Sequence, residues 1–318
     1  MKVRLATRAS TLALAQTRAV AGRIRALGED VDVELVVVQS KGDLVTHLPL
    51  SRIGGRGLFS KEVDVAVSDG RADAAVHSLK DLPTQSSGLT IVAVLERADP
   101  RDALVPAPGM PRRLDDLPPG ARVGTSSLRR RSLLLARRPD IAAEELRGNL
   151  DTRLAKLRDG VCDAAIVALA GLHRLGLEAY VGEALDPPEW LPAPGQGAIA
   201  VVGRDESSPV RALLERIDHA GTRAQTSAER AMLRRLEGGC QVPIGALAIT
   251  RDETLTLLGF IGSIDGCRGV RGSIGGSAAD AETLGEKLGA RLDEEGGRAI
   301  IDEVRSAAAG DVPAVSLP

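Results

Sequence analysis

Between Val3 and Val202, short apolar runs alternate with helical segments, and this alternation constrains the fold more than any other feature. Val3 to Thr7 reads as a strand ending at Arg8-Ala9-Ser10, with Ser10 capping a helix that runs to about Leu27 and stops at Gly28. Val31 to Val38 is β-branched and nearly continuous, which predicts a strand covered on both faces. A helix from Ser60 to about Asp69 follows, then a short strand Ala74-Ala75-Val76, the polar string His77-Ser78-Leu79-Lys80-Asp81, and a strand from Leu89 to Leu95. Strands alternating with helices predict a parallel, wound α/β sheet whose ligand site lies at the carboxyl ends of its strands.

Glu96 to Asp102 reads as a first crossing into a second lobe. There, Arg122 to Thr125 predicts a strand, followed by a helix to about Ala136. Glu144 to Leu146 and Ala164 to Ala168 predict two more strands, with a helix from Asp151 to Arg158 between them. Cys162, at the entrance of the last strand, is expected to be structural. Pro187, Pro188, Pro192 and Pro194 mark a stiff linker, after which Ala198 to Val202 returns to the first sheet. Two crossings between two α/β lobes predict a hinged pair with a cleft. The expected boundaries are 1–98 with 198–217 for the first lobe, 99–197 for the second, and 218–318 for a small C-terminal α+β domain.

In that last part, Ala246 to Ile249, Thr254 to Ile261 and Gly269 to Ile274 read as a meander, with a hairpin signal at Asp265-Gly266. Leu284, Leu288 and Leu292 share one helical face. Thr226-Ser227-Ala228-Glu229 has capping-box spacing, which predicts a helix start there, and Gly238 or Gly239 can take the left-handed stop. Cys240 then falls on a tight loop past a helix end. Two roles stand open for it from chemistry alone: a small buried apolar residue, or a thiol presented to a cleft.

Composition removes several function classes. At 318 residues and 43% hydrophobic content, the chain suits two or three packed domains. Phe59, Tyr180, Trp190 and Phe260 are its only aromatics, too few for stacking single-stranded nucleic acid, and a net charge of −2 gives no basic footprint. Three cysteines without CxxC spacing suggest neither a disulfide framework nor a metal site. Lys2-Val3-Arg4-Leu5 already starts a strand, leaving no room for a signal peptide, and no apolar run reaches membrane-spanning length, so a cytoplasmic protein is expected.

The chemistry-bearing residues are mostly cations. Six arginines and no acid lie between Arg122 and Arg138, and Thr125-Ser126-Ser127 opens the helix that carries most of them. A helix N-terminus beside arginine forks suits a carboxylate or a phosphate. Arg8 and Arg147 fall just after predicted strands, and Arg153 near a helix start. Several such arginines in two lobes suggest a ligand with many negative groups. Asp81, beside Lys80, is either an ionised carboxylate able to stabilise positive charge and move protons or a turn residue before Pro83. His77 fits a structural role as well as a functional one. Phe59, beside the long glycine-containing segment from Ser40 to Gly57, fits core packing or stacking on a planar ligand. That segment lacks the Lys-Ser/Thr ending of a nucleotide P-loop. Cys267 has no visible role.

Seven motifs in order resemble the porphobilinogen deaminase family: ATRAS (Ala6 to Ser10), GGRGLFSKE (Gly54 to Glu62), VHSLKDLPT (Val76 to Thr84), GTSSLRRR (Gly124 to Arg131), LRGNLDTRL (Leu146 to Leu154), PGQGA (Pro194 to Ala198) and AERAMLRRLEGGCQVPIGA (Ala228 to Ala246). The resemblance implies two lobes like type II periplasmic binding proteins plus a C-terminal domain. It implies a dipyrromethane cofactor held by thioether at Cys240 and stepwise addition of four porphobilinogen units with loss of ammonia. Hydrolysis then releases hydroxymethylbilane. It gives Asp81 the catalytic role and places Ser78, Lys80, Thr125, Ser127, Arg129, Arg130, Arg147 and Gly148 around the cofactor. Substrate contacts fall to Arg8, Ser10, Gln16, Phe59, Ser126, Asn149, Arg153, Arg174 and Gln196. No metal, nucleic acid or membrane partner is implied, and a monomer is expected. Arg56 stands where lysine is common in the family, and Thr11 where proline is frequent. The alternative is a hinged small-anion binding or sensor protein of the same lobe architecture, in which Cys240 and the third domain would serve no purpose.

Overall fold

The computed structural model describes residues 1–28, 30–39, 60–84, 88–236 and 242–310. The segment 40–57, Phe59, Gly238, Gly239 and Cys240 lie outside the described residues.

Four strands come first: β1 (Lys2–Arg8), β2 (Asp32–Val38), β3 (Ala74–Ser78) and β4 (Leu89–Val94). The chain then crosses to a second sheet, formed by β5 (Asp102–Pro106), β6 (Arg122–Gly124), β7 (Ala142–Glu144), β8 (Ala164–Ala168) and β9 (Glu183–Leu185). It returns with β10 (Ile199–Arg204). The sheet orders are β2-β1-β3-β10-β4 and β7-β6-β8-β5-β9, the same winding twice.

Neither sheet is wholly parallel, contrary to the sequence expectation. β10 runs antiparallel to β3 and β4, and β5 runs antiparallel to β8 and β9. Each crossing delivers a strand from the opposite end of the sheet, so the pair of crossings puts one reversed strand into each lobe. β2 also departs from expectation. It is a sheet edge with alternating exposure, and Val37 is 53% exposed. β5 and β9 carry no strong strand signal, being short and holding an acid or a proline.

Local signals explain most helix starts. Ser10 Oγ accepts from Ala13 N (3.3 Å) at the head of the helix Thr11–Arg25, and Gly28 takes φ +77 beyond its end. Ser127 and Asn149 cap Leu128–Arg137 and Leu150–Arg158 in the same way. The helix before Cys240 begins earlier than the capping-box spacing suggests. It spans Ala220–Arg235, and His219 Nδ1 accepts from Thr222 N at 3.1 Å. Thr226 lies inside it and donates to Thr222 O (2.8 Å), which frees Glu229 for a different task.

The third sheet is the antiparallel meander β11 (Ile244–Arg251), β12 (Thr254–Gly262) and β13 (Gly269–Ser277). The helices Ala220–Arg235 and Ala281–Leu292 cover it. They meet so closely at Gly285 that a Cβ there would lie 2.2 Å from Ala228 O. Leu247 and Phe260, from this domain, share a core with Trp190, Leu191 and Leu134 of the second lobe. No helix among the described residues is long and apolar enough to cross a membrane.

Candidate active site

β3 ends in a single 3₁₀ turn, Leu79–Asp81, that puts two charged residues at the sheet's carboxyl edge. The turn is tied down by Leu79 N donating to Ala198 O (3.0 Å) and Leu82 N donating to Leu79 O (3.1 Å). Gly195, from the second crossing, lies against it: a Cβ there would come within 3.1 Å of Leu79 Cγ. Asp81 is exposed. Lys80 turns inward, and its Nζ donates to Gln196 Oε1 at 3.0 Å. Burial, together with the charge of Arg130, lowers the Lys80 ammonium to about 8.

Gln196 leads to a hub that sequence reasoning missed. Asp102, fully buried at the start of β5, accepts from Arg129 Nη1 (2.7 Å), from Arg130 Nε and Nη2 (3.1 and 2.7 Å), from Trp190 Nε1 (2.8 Å) and from Gln196 Nε2 (2.8 Å). Burial alone would raise its carboxyl. The charges of Arg129 and Arg130 and their hydrogen bonds outweigh that, and hold it well below the carboxylate range. Arg129 and Arg130 are therefore not bare cations: one carboxylate balances two guanidinia.

Other cations have no such balance. Arg147 is 9% exposed, and its Nη1 has no hydrogen-bond partner among the described residues. Arg153 Nε donates to Gly148 O (2.9 Å), and Arg174 Nη2 to Gly197 O (2.6 Å). Burial lowers both guanidinia to about 10, with Arg130 adding to the effect on Arg153. No carboxylate pairs with Lys80, Arg147, Arg153 or Arg174 among the described residues. Arg153, from the second lobe, is near enough to Arg130, Arg147 and Asp81 to feel their charges, so the end of the Asp81 turn and these three arginines share one region of the molecule.

Several of the polar site residues expected from sequence are already engaged within the protein. Ser126 Oγ donates to Leu146 O (2.5 Å), Thr125 Oγ1 accepts from Ser127 N (3.1 Å), and Gln16 Nε2 donates to Ser78 Oγ (2.8 Å). Ser10, Ser127 and Asn149 are caps. Gly148 has φ +116, and a Cβ there would meet Thr152 at 2.7 Å. Arg8 ends β1 at the same sheet edge as Ser78.

Residues 3–212 match the family model described as porphobilinogen deaminase, dipyromethane cofactor binding domain, and residues 224–294 match that of the porphobilinogen deaminase C-terminal domain. The chain belongs to the porphobilinogen deaminase family. Its activity is hydroxymethylbilane synthesis in tetrapyrrole biosynthesis, with a dipyrromethane cofactor and porphobilinogen as substrate.

The porphobilinogen deaminase architecture is that of two α/β lobes with the same sheet order and a small C-terminal α+β domain. Among solved structures, the chain is similar to the methionine binding protein MetQ (15% identity, TM-score 0.44, 68% of this chain and 89% of that one). It is also similar to the BenM effector binding domain with its effector benzoate (15%, 0.43, 68% and 89%) and to the Bordetella pertussis BvgS VFT2 domain (16%, 0.40, 68% and 86%).

The residues present fit the porphobilinogen deaminase cofactor. A dipyrromethane carries several carboxylates, and the cleft offers buried guanidinia that lack them, with one Arg147 nitrogen unpartnered. Glu229 supplies a second hub, also missed from sequence. Fully buried, it accepts from Arg97, from Gly195 N (2.7 Å) and from Ala248 N (2.8 Å). Nothing near Asp102 or Glu229 in the sequence signals either hub, because their partners arrive from distant segments.

Proposed function

We propose that the chain deaminates porphobilinogen and joins four units head-to-tail on a dipyrromethane primer attached to Cys240, then releases hydroxymethylbilane by hydrolysis. The observation that carries this reading is that Lys80, Arg147, Arg153 and Arg174 have no carboxylate partner among the described residues, and that Lys80 and Arg153 lie within reach of the charge of an exposed Asp81. When bound, the cofactor supplies the pyrrole to which incoming units are joined.

Arg147, Arg153 and Arg174 bind acetate and propionate groups of the ligand. Charge-assisted bonds of this kind contribute about 1.5–3 kcal/mol each. Arg129 and Arg130 offer the cleft only the charge that Asp102 leaves over. Lys80, held inward by Gln196, adds a buried positive charge behind the Asp81 turn. Loss of ammonia from porphobilinogen leaves positive charge spread over the ring and methylene, and the Asp81 carboxylate stabilises it. The same carboxylate would accept the α-proton released when the pyrrole that has received the new unit recovers its aromaticity. Exposure of Asp81 leaves it free to face substrate, with no structural carboxylate role to compete.

Intact mass of wild type and Cys240→Ser tests the attachment: the wild type is expected to carry a two-pyrrole adduct that the variant lacks. An unmodified, fully active wild type overturns the reading.

A further inference from the structure

We propose that Arg230 is a positioning residue: from the helix that leads to Cys240, it grips the peptide following Asp81 and so holds the catalytic carboxylate in place. The inference rests on the reading of Asp81 given above.

Arg230 lies on the helix Ala220–Arg235, five residues before its end. Its Nη1 donates to Leu82 O (3.1 Å) and its Nη2 to Pro83 O (2.7 Å), partners 148 and 147 residues away in sequence. Two nitrogens of one planar fork on two successive carbonyls fix the orientation of that stretch of backbone, not merely its distance. Little else does so locally. Pro83 has no N–H to donate, and Leu82 N makes the single bond to Leu79 O. Leu82 directly follows Asp81, so any movement of this peptide moves the carboxylate.

The charge of Arg230 is placed differently from those of the arginines at the first crossing and at the Asp102 hub. Arg97, Arg101, Arg129 and Arg130 all pair with carboxylates. Among the described residues Arg230 has no carboxylate, and burial lowers its guanidinium, with Arg234 adding to the effect. A half-buried cation satisfied only by two turn carbonyls is a costly way to join two domains. Its anchor is firm, because the neighbouring Glu229 fixes the same helix to Arg97, Gly195 and Ala248. The turn that carries Asp81 is thereby referenced to the helix preceding Cys240 and not to its own lobe alone.

The test compares wild type, Arg230→Gln, Arg230→Lys, Asp81→Asn and the Asp81→Asn/Arg230→Gln double variant. Intact mass, thermal unfolding, kcat, KM, single-turnover ammonia release and hydrogen exchange at the Leu82 amide are measured for each. Arg230→Gln is expected to keep the cofactor mass and KM, to exchange the Leu82 amide faster, and to lose about ten- to a hundredfold in kcat, the scale of a carboxylate misplaced by about 1 Å. Arg230→Lys is expected to recover part of the loss, and serves in the cycle if Arg230→Gln does not fold. In the Asp81→Asn background, removing Arg230 is expected to cost nothing further in single-turnover release. Wild-type kcat in Arg230→Gln, or a full additional loss in the double variant, overturns the positioning role while leaving Asp81 intact. Wild-type turnover in Asp81→Asn removes the reading on which the role depends.

Discussion

Arg97 and Glu229, 132 residues apart, meet in a buried two-pronged ion pair with contacts of 2.6 and 3.0 Å. The pair sits where three parts of the chain converge. Arg97 belongs to the first crossing, and its Nε donates to Gln196 O in the second crossing (2.8 Å), while Glu229 also takes the Gly195 and Ala248 amides. One carboxylate thus ties both hinge strands to the C-terminal sheet.

Glu229→Gln is expected to destabilise the protein by about 3–5 kcal/mol, the cost of leaving a buried guanidinium without its charge partner. Replacing both members, Arg97→Met with Glu229→Leu, removes the uncompensated charge but strands the Gly195 and Ala248 amides. The double variant is therefore expected to recover only part of the loss. Urea unfolding of wild type and the two variants checks this, and full recovery would show that the backbone donors find other acceptors.

Asp102→Asn should also cost about 3–5 kcal/mol at neutral pH, for the same reason. The carboxyl is held well below its unfolded value, so its contribution is complete above about pH 4 and is lost as the unfolded chain takes up the proton below that. The stability gap between wild type and Asp102→Asn should accordingly narrow near pH 3. Denaturant melts at the two pH values decide it.

Arg130 and Arg147 should respond differently to neutralisation. Arg130→Leu takes two hydrogen bonds from Asp102 and is expected to lower stability as well as turnover. Arg147→Leu removes a nitrogen that has no protein partner, so stability should change by less than about 1 kcal/mol. Turnover or cofactor loading should still fall roughly ten- to a hundredfold. Equal stability losses would show that Arg147 has a structural partner of comparable strength.

Asp81→Asn should leave the cofactor attached and thermal stability within about 0.5 kcal/mol, because the side chain is exposed. Single-turnover ammonia release should drop by about a hundredfold or more, the scale of losing one preorganised electrostatic contact. Asparagine serves a turn as readily as aspartate does, so a turn role alone predicts near-normal release.

Lys80 titrates near 8, below its unfolded value of about 10.4. Between those values the folded chain has released a proton that the unfolded chain still binds, so stability should rise with pH across the window. Relative to Lys80→Met, both in the cofactor-free Cys240→Ser chain, the lysine form should gain stability from about pH 8 to pH 10. Thermal melts over that range measure it, and a flat difference would mean that Lys80 keeps an ordinary ammonium.

The lobes were legible because apolar runs and caps are local: Ser10, Ser127 and Gly28 mark their helices from adjacent residues alone. The reversal of β5 and β10 was not, since strand direction is decided by where the crossings enter each sheet. Thr226 shows a local signal overruled, as its spacing to Glu229 imitates a helix start while Glu229 is drawn to Arg97. The arginine run showed its charge in the sequence but not its neutralisation. Asp102 lies 27 and 28 residues from Arg129 and Arg130, and only the fold brings them together.

The two reversed strands also set an order of assembly. The second sheet is built wholly from residues between Asp102 and Leu185, so it can close once those have emerged from the ribosome. The first sheet places β10 between β3 and β4, and so waits for residues Ile199–Arg204. The lobe that is synthesised first is therefore completed second, and until then β3 and β4 present unpaired edges in the nascent chain.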